Sequence, residues 1–490
     1  MENIGYFARK KITMDKFSTQ VKVSTGNSIS KILSVSQKSI ITSCDIMNGY
    51  ISLSGKINVN VIYISQENLI ENSEMVFDFI EKQQINCTLE DIFAEDNIEL
   101  KNINYSGNDV ICIFEHNICL NGNYKYEIPI FNDDNNLVTK GSKFDSLRYI
   151  TSCEDNFVVA EVTEVNLDNI TIINYDASVI LYETICLVDR ISVEGKIISN
   201  IVYKDEQGIG SLSKEFDFKQ EISADGVVPN MILSAYSNVT NVNISAEAND
   251  LKTNLTYEIS VFVKGLIYEE NTYEFVDDMF SLSNNISTTF DYIEARSFSN
   301  MKNYSDTFML STDISNIENF DDVIGVCLPK FKLDSIEELE EKSLLTGTIT
   351  SDAVYRADEK LSTIQTSLPI KIEIPRNIGE VVGKVNTALE ITSFKVKAGK
   401  FLEVVYILNY SVIFENTIST KFVKSYELKS EKNINTSGIK LYITSQGETL
   451  FDVAKKLNVK PDIITNQNEV FDTFEQGEKI YIYSPINLCN

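Results

Sequence analysis

Ile191-Ser192-Val193-Glu194-Gly195-Lys196-Ile197-Ile198-Ser199-Asn200-Ile201-Val202-Tyr203 is the stretch on which the reading of this 490-residue chain turns. A short apolar run leads into a glycine, apolar residues follow, and a tyrosine closes the run eight positions after the glycine. The arrangement occurs twice more. Gly55 heads Lys56-Ile57-Asn58-Val59-Asn60-Val61-Ile62-Tyr63, and Gly347 heads Thr348-Ile349-Thr350-Ser351-Asp352-Ala353-Val354-Tyr355. Ile51-Ser52-Leu53 and Leu344-Leu345 precede these two glycines. Alternation such as Ile57-Val59-Val61 has the period of a strand, so the glycines sit inside β pattern, where they mark a bulge or a close backbone approach. The glycines and Tyr63, Tyr203 and Tyr355 are therefore read as determinants of the fold rather than ligand contacts.

Two further landmarks keep the same order. Phe77, Phe216 and Leu368 open a second apolar segment 22, 21 and 21 residues past the glycines, and Phe17, Phe157 and Phe308 precede them by 38, 38 and 39. Units of this length are domains rather than solenoid turns. Late strands rich in Val, Ile, Tyr and Phe recur at 110–115, 255–265 and 401–414. Helical periodicity is confined to short pieces, of which 335–342 is one. The expected fold class is mainly β: three tandem β-rich domains, each a sandwich or open barrel, over 1–140, 141–290 and 291–428. Boundaries are expected within 132–143, 278–300 and 429–438. The last of these is polar and predicts a flexible tether to the C-terminal segment.

Formal net charge is −28, with a single histidine and no tryptophan. So acidic a chain repels phosphate backbones, which argues against nucleic acid and against anionic membrane surfaces. Residues 1–20 contain no hydrophobic run, and no stretch approaches a membrane span, so the expectation is a protein made and kept in a cytosol, with no direct membrane insertion. Cysteines at 44, 87, 112, 119, 153, 186, 327 and 489 form no CxxC pair. They read as small buried apolar residues, and no metal or cofactor is expected. Catalytic signatures are missing as well. His116 lies on the strand face shared by Val110, Cys112, Phe114 and Ile118, and the other two units have no histidine, so a buried strand histidine with a hydrogen-bond partner is expected. There is no nucleophile elbow, P-loop or GxGxxG. Glu337-Glu338 and Glu340-Glu341 read as a solvated helix face, and Asp133-Asp134 and Asp321-Asp322 as turns. The chain is expected not to be an enzyme.

The last fifty residues differ in kind. Lys440-Leu441-Tyr442-Ile443 reads as a strand. Gly447-Glu448-Thr449-Leu450-Phe451 follows as a turn, and Leu450, Val453, Ala454 and Leu457 fall on one helical face. Thr449 and Asp452 have capping-box spacing, and Pro461 suits the first turn of a second helix. Ile464 and Asn468, then Gly477-Glu478-Lys479-Ile480-Tyr481-Ile482, complete the pattern. Over 440–483 it resembles a LysM module, a small βααβ fold that binds N-acetylglucosamine polymers in most families and proteins in a few, and the module is placed at 439–485 behind a 429–438 linker. Glu448 departs from the family's Asp, and Tyr483 stands where Pro is common.

The repeat unit resembles the SPOCS repeat of endospore-forming bacteria, and several such repeats before a terminal LysM module is the layout of the SipL-like spore coat morphogenetic proteins of the clostridia. The third unit departs most, with Leu368-Pro369-Ile370 where the others have Phe77-Asp78-Phe79 and Phe216-Asp217-Phe218. The resemblance implies a spore coat scaffold made in the mother-cell cytoplasm and carried to the forespore surface. There its LysM module would engage a coat morphogenetic ATPase, the stage IV sporulation protein A. Candidate contact residues flank the module's two loops: Gly447, Glu448, Thr449, Leu450 and Phe451 on one side, and Gln467, Asn468, Glu469, Val470 and Phe471 on the other. Leu450 is expected in the core and Gly447 and Asn468 at turns. Phe451, Val470, Phe471 and Phe474, if exposed together, would form an apolar patch suited to a protein. Peptidoglycan anchoring is the alternative, weakened by a single LysM copy and the lack of Trp. Self-assembly through strand edges is a third.

Overall fold

A computed structural model of the chain describes residues 3–47, 49–85, 89–131, 136–205, 208–249, 252–327, 329–358, 360–397, 400–432, 438–469 and 473–484. It is predominantly strand. The first seven strands are β1 (Asn3–Thr13), β2 (Phe17–Ser24), β3 (Ile29–Met47), β4 (Tyr50–Ser65), β5 (Ile70–Gln84), β6 (Glu90–Ser106) and β7 (Asp109–Pro129). Then come β8 (Leu137–Val165), β9 (Thr171–Leu187), β10 (Arg190–Lys204), β11 (Ile209–Ser223), β12 (Ile232–Asn249) and β13 (Lys252–Ser281). A third set holds β14 (Asn284–Asp313), β15 (Phe320–Val326), β16 (Lys330–Glu338), β17 (Lys342–Ala357), β18 (Lys360–Pro375), β19 (Glu380–Lys397) and β20 (Phe401–Glu431). The chain ends in β21 (Gly438–Ile443), α1 (Leu450–Leu457), α2 (Pro461–Gln467) and β22 (Lys479–Ser484).

The strands holding the three glycines are central. β4 lies between β3 and β5, β10 between β9 and β11, and β17 between β18 on one side and β15 with β16 on the other. Facing them are layers built on the late strands: β2 and β6 flank β7, β8 and β12 flank β13, and β14 and β19 flank β20, the first and third of these layers being joined through β1 and β14 into one seven-stranded sheet. Each facing pair encloses its own apolar core. Ile57, Val59 and Val61 meet Val110, Cys112 and Phe114; Ile191, Val193 and Ile197 meet Ile259, Val261 and Val263; Ile349 and Ala353 meet Val404, Tyr406 and Leu408. The upstream phenylalanines all pair with a late strand, Phe17 opposite His116, Phe157 opposite Val261 and Phe308 opposite Tyr406.

The glycines are required by aromatic rings lying across them. A Cβ on Gly55 would stand 2.5 Å from Phe79 Cζ, and one on Gly195 2.6 Å from Phe218 Cζ. Those rings come from the following strand, at the Phe-Asp-Phe landmark. Ile370 occupies that place opposite Gly347, and the ring comes from the other neighbour instead, Phe331 Cε2 at 2.5 Å. The helix anticipated at 335–342 is not formed. Its first residues continue β16, where Ile336 pairs with Leu345 and Glu338 with Ser343, and a turn closed by Leu339 N–H to Lys342 O comes next at 2.9 Å. Pairing with β17 outweighs the propensity of a short acidic segment, and the glutamates stand on a strand end and turn.

The three sandwiches close on one another. Ile62, Val202 and Val354, each seven residues past its glycine, pack in one cluster with Leu33, Ile173 and Ile324 and with Ile70, Ile209 and Leu361. Polar contacts run around this centre in one sense. Lys38 Nζ donates to Ala177 O at 3.1 Å, Asn200 Nδ2 to Leu389 O at 2.8 Å, and Lys330 Nζ to Val35 O at 3.3 Å. Beyond the sandwiches the long strands continue as three two-stranded arms: β1 with the end of β7, and the start of β8 and β14 with the ends of β13 and β20. Tyr6, Ala8 and Ile128 of the first arm, Phe144, Tyr273 and Phe275 of the second, and Ile293, Ala295 and Phe422 of the third share one core. At the junction Arg9 Nη1 meets Glu415 Oε1 at 2.9 Å, with both side chains more than nine-tenths buried and the guanidinium 4.6 Å from the ring centroid of Tyr236.

Candidate functional site

The C-terminal segment folds from local signals. β21 pairs antiparallel with β22 from Gly438 opposite Ser484 to Ile443 opposite Lys479. Thr449 caps α1: Asp452 N–H donates to Thr449 Oγ1 at 3.3 Å, and Thr449 N–H to Asp452 Oδ2 at 2.9 Å. Burial works against the Asp452 carboxylate, yet the Thr449 hydrogen bonds hold it below its usual range. Asn458, with φ of 57°, ends α1 in the left-handed region, and Pro461 opens α2. Phe451, Val453, Ala454, Ile464, Phe474, Ile480 and Ile482 form the small core between helices and ribbon.

Each candidate residue has a definite place. Gly447, at φ of +78°, makes the turn before α1. Glu448 is buried. The Lys456 ammonium beside it, the Ser445 N–H at 2.7 Å and the Tyr442 hydroxyl at 2.8 Å hold its carboxyl below the usual carboxylate range. Thr449 is the cap and Leu450 is half-buried against the core. Gln467 and Asn468 turn their amides onto β22: Tyr481 N–H donates to Asn468 Oδ1 at 2.8 Å, and Tyr483 N–H to Gln467 Oε1 at 2.7 Å. Glu469 is exposed. Val470 and Phe471 lie outside the described residues. The two loops are laced together, Gly447 N–H donating to Phe474 O at 3.0 Å and Phe474 N–H to Glu448 O at 2.9 Å.

Two expectations are corrected here. Phe451 and Phe474 are buried, 8% and 2% exposed, so they do not contribute to an exposed apolar patch. Phe474 fills the module's own core, and Phe451 packs edge-on against Phe280 at the end of β13, with ring centroids 5.4 Å apart. The linker expected over 429–438 is also shorter than that, because 429–431 continue β20, with Glu431 opposite Asn284, and the segment beyond packs on the body. It is seated on the tip of the second arm, where Val138, Phe280 and Leu282 join its core. Lys455 Nζ meets Asp278 Oδ2 at 2.6 Å, Asn458 Nδ2 donates to Leu282 O at 2.7 Å, and Lys432 Nζ donates to Asn458 Oδ1 at 2.6 Å. Residues 433–437 of the expected 429–438 linker lie outside the described residues, and composition carries no signal of the contacts made beyond them.

Sequence reasoning missed the outer face of the ribbon. Ile439, Leu441 and Ile443 on β21 stand beside Tyr483, Tyr481 and Lys479 on β22, and all five apolar side chains are exposed. The signal was present. In Ile439-Lys440-Leu441-Tyr442-Ile443 the odd positions are apolar although the even ones already face the helices.

His116, the single histidine, is sealed in the first sandwich. Its Nδ1 lies 2.6 Å from Asp96 Oδ2, its Nε2 contacts Thr19 Oγ1, and its ring stacks on Phe17 at 4.4 Å. Among the described residues no group of three or more His, Cys, Asp or Glu side chains is placed to hold a metal ion, and no helix is long and apolar enough to cross a membrane. Cys44, Cys112, Cys119, Cys153, Cys186 and Cys327 are free thiols, and burial pushes Cys327 up to about 12.

Residues 28–118 and 169–247 match the family model described as SipL, SPOCS domain. Both segments start at the first strand of a glycine-centred sheet, β3 and β9, and run on into the facing sheet, to β7 and β12. The match supports a SipL-like chain and a sporulation-related protein, through the SPOCS domain. No curated protein and no solved structure matches the chain.

Proposed function

We propose that the chain is a non-enzymatic scaffold of the spore envelope, made of three SPOCS repeats closed into one body and carrying a LysM module that docks on the coat-scaffold ATPase. The match of two segments to the SipL, SPOCS domain carries this reading. The third unit is included because it repeats the landmarks: Gly347 under a ring, Phe308 opposite the late strand β20, and Val354 in the shared centre. The terminal segment is read as a LysM module on its strand-helix-helix-strand order and on Asn468, which ties α2 to β22. The protein then works in the mother-cell cytoplasm and afterwards at the forespore surface.

A three-part body packed around shared cores, with one module at an arm tip, suits a spacer that presents a single docking element. The loops laced across Gly447, Glu448 and Phe474 favour a protein contact over a sugar groove between those loops. Titrating the full-length protein with the purified ATPase and, in parallel, with N-acetylglucosamine oligomers tests this. Saturable binding to the ATPase alone is expected. Binding to the oligomers alone overturns the docking role and makes the chain a peptidoglycan anchor.

A further inference from the structure

The ribbon of the C-terminal module has two edges, and they are finished differently. Thr444 N–H donates to Glu478 O at 3.0 Å, which makes the even-numbered residues of β21 the hydrogen-bonded partners of β22. The N–H and C=O groups of Ile439, Leu441 and Ile443 therefore point away from β22, and those of Tyr481 and Tyr483 point outward on the opposite side. The Tyr481 and Tyr483 groups are met. Asn468 accepts from Tyr481 N–H and donates to its carbonyl, both at 2.8 Å, and Gln467 does the same for Tyr483 at 2.7 and 3.2 Å. Two side-chain amides thus stand in for a third strand on that edge. On the β21 edge no such partner occurs among the described residues, and Ile439, Leu441 and Ile443 are 68%, 53% and 58% exposed. An unpaired edge with apolar side chains accepts another strand.

We propose that this edge is a self-association surface, at which a second copy of the chain adds its own β21 antiparallel about a twofold axis through Leu441. The strand is self-complementary in that register. Leu441 meets Leu441 of the second copy, Ile439 meets Ile443, and the strand's one charge, Lys440, meets Tyr442. All three outward-pointing residues then pair. The neighbouring register, centred on Lys440, sets two ammonium groups face to face and is disfavoured. The chain's net charge of −28 does not oppose the contact strongly, because the module sits at the tip of the second arm. That arm runs from Tyr149 and Tyr268 to Leu137 and Ser281. At ~3.3 Å per residue it holds the contact about 40 Å from the sandwiches, several screening lengths at physiological salt. The proposal stands independently of the module's docking partner.

Sedimentation of the full-length protein, under reducing conditions and at physiological salt, tests it. The wild-type chain is expected to pass from monomer to dimer with rising concentration. Leu441→Lys and Leu441→Glu each oppose like charges at the axis and are expected to stay monomeric, with unchanged melting because Leu441 is half exposed. Mixing the two variants is expected to restore the dimer. A wild-type chain that stays monomeric overturns the proposal and leaves the edge to an extended segment of another protein. Dimers of either variant alone, or a mixture that fails to pair while the wild type dimerises, also overturn it.

Discussion

The first and second sandwiches present the same backbone slot with opposite contents. Phe17 lies across from His116 and Phe157 across from Val261, at matching distances from their glycines. Val261 is buried among apolar neighbours. His116 is buried just as deeply but brings its own partners, Asp96 from β6 and Thr19 from β2. The third sandwich offers another solution, with Tyr406 in the slot and its hydroxyl 2.6 Å from Ser351 Oγ on the facing sheet. What the backbone fixes is the slot, through the glycine and the ring that covers it. The side chain inside is free to change if every polar atom it introduces is satisfied.

The sharpest way to break this comparison is to give the first sandwich the second's residue without its surroundings. His116→Val leaves the Asp96 carboxyl, whose Oδ1 already has no partner, buried with none among the described residues. A loss of about 3–5 kcal/mol is expected in denaturant unfolding, and Asp96→Leu added to it should recover much of that. Gly195→Val tests the slot itself. Its Cβ would lie 2.6 Å from Phe218 Cζ and 2.7 Å from the Ile180 carbonyl, contacts that rotation of the ring alone does not relieve. A loss of about 3 kcal/mol is expected, and unchanged melting would remove the glycine from the list of fold determinants. Tyr406→Phe keeps the third slot's shape and deletes one hydroxyl. Because Ser351 and Thr366 still bond each other at 2.8 Å, about 1 kcal/mol is expected from the same measurement.

The smallest effect lies between sandwiches. Glu99 of β6 is held down to about 2 by hydrogen bonds from Lys101 and from Lys332 of β16. Its folded value lies below its unfolded one, so the stabilisation is complete above the ordinary carboxylate range and disappears as pH falls toward about 2. The pair is partly exposed, and Glu99→Gln should cost less than about 1 kcal/mol at neutral pH. Melting temperatures of the two proteins should converge as the pH is lowered from about 5 toward about 2.

The strand pattern was legible within each unit because its signals are local. Gly55, Gly195 and Gly347 lie in the middle strands of their sheets, and the upstream phenylalanines pair with the late strands. Closure of the three units was not read. Its trace was present in β4, where residues 59–65 are buried on both faces although the strand alternates before them. A run apolar at consecutive positions signals burial on two sides, here against the core and against the neighbouring sandwiches. The arms escaped because Tyr6, Tyr273 and Phe422 meet only after three distant segments assemble. In the terminal segment the caps and helix faces were legible. The seat on Phe280 and the exposed ribbon face were not, since periodicity tells which face is apolar but not what covers it.

The Arg9–Glu415 contact has a consequence in time. Arg9 and the carboxylate that neutralises it are separated by about 400 residues of chain, roughly 20–80 s of synthesis at ordinary rates. During that interval strand β1 has β7 beside it but lacks β14 and the Glu415 carboxylate. The buried pair therefore forms only once the third sandwich has been made, and it ties β1 to a strand synthesised long after it.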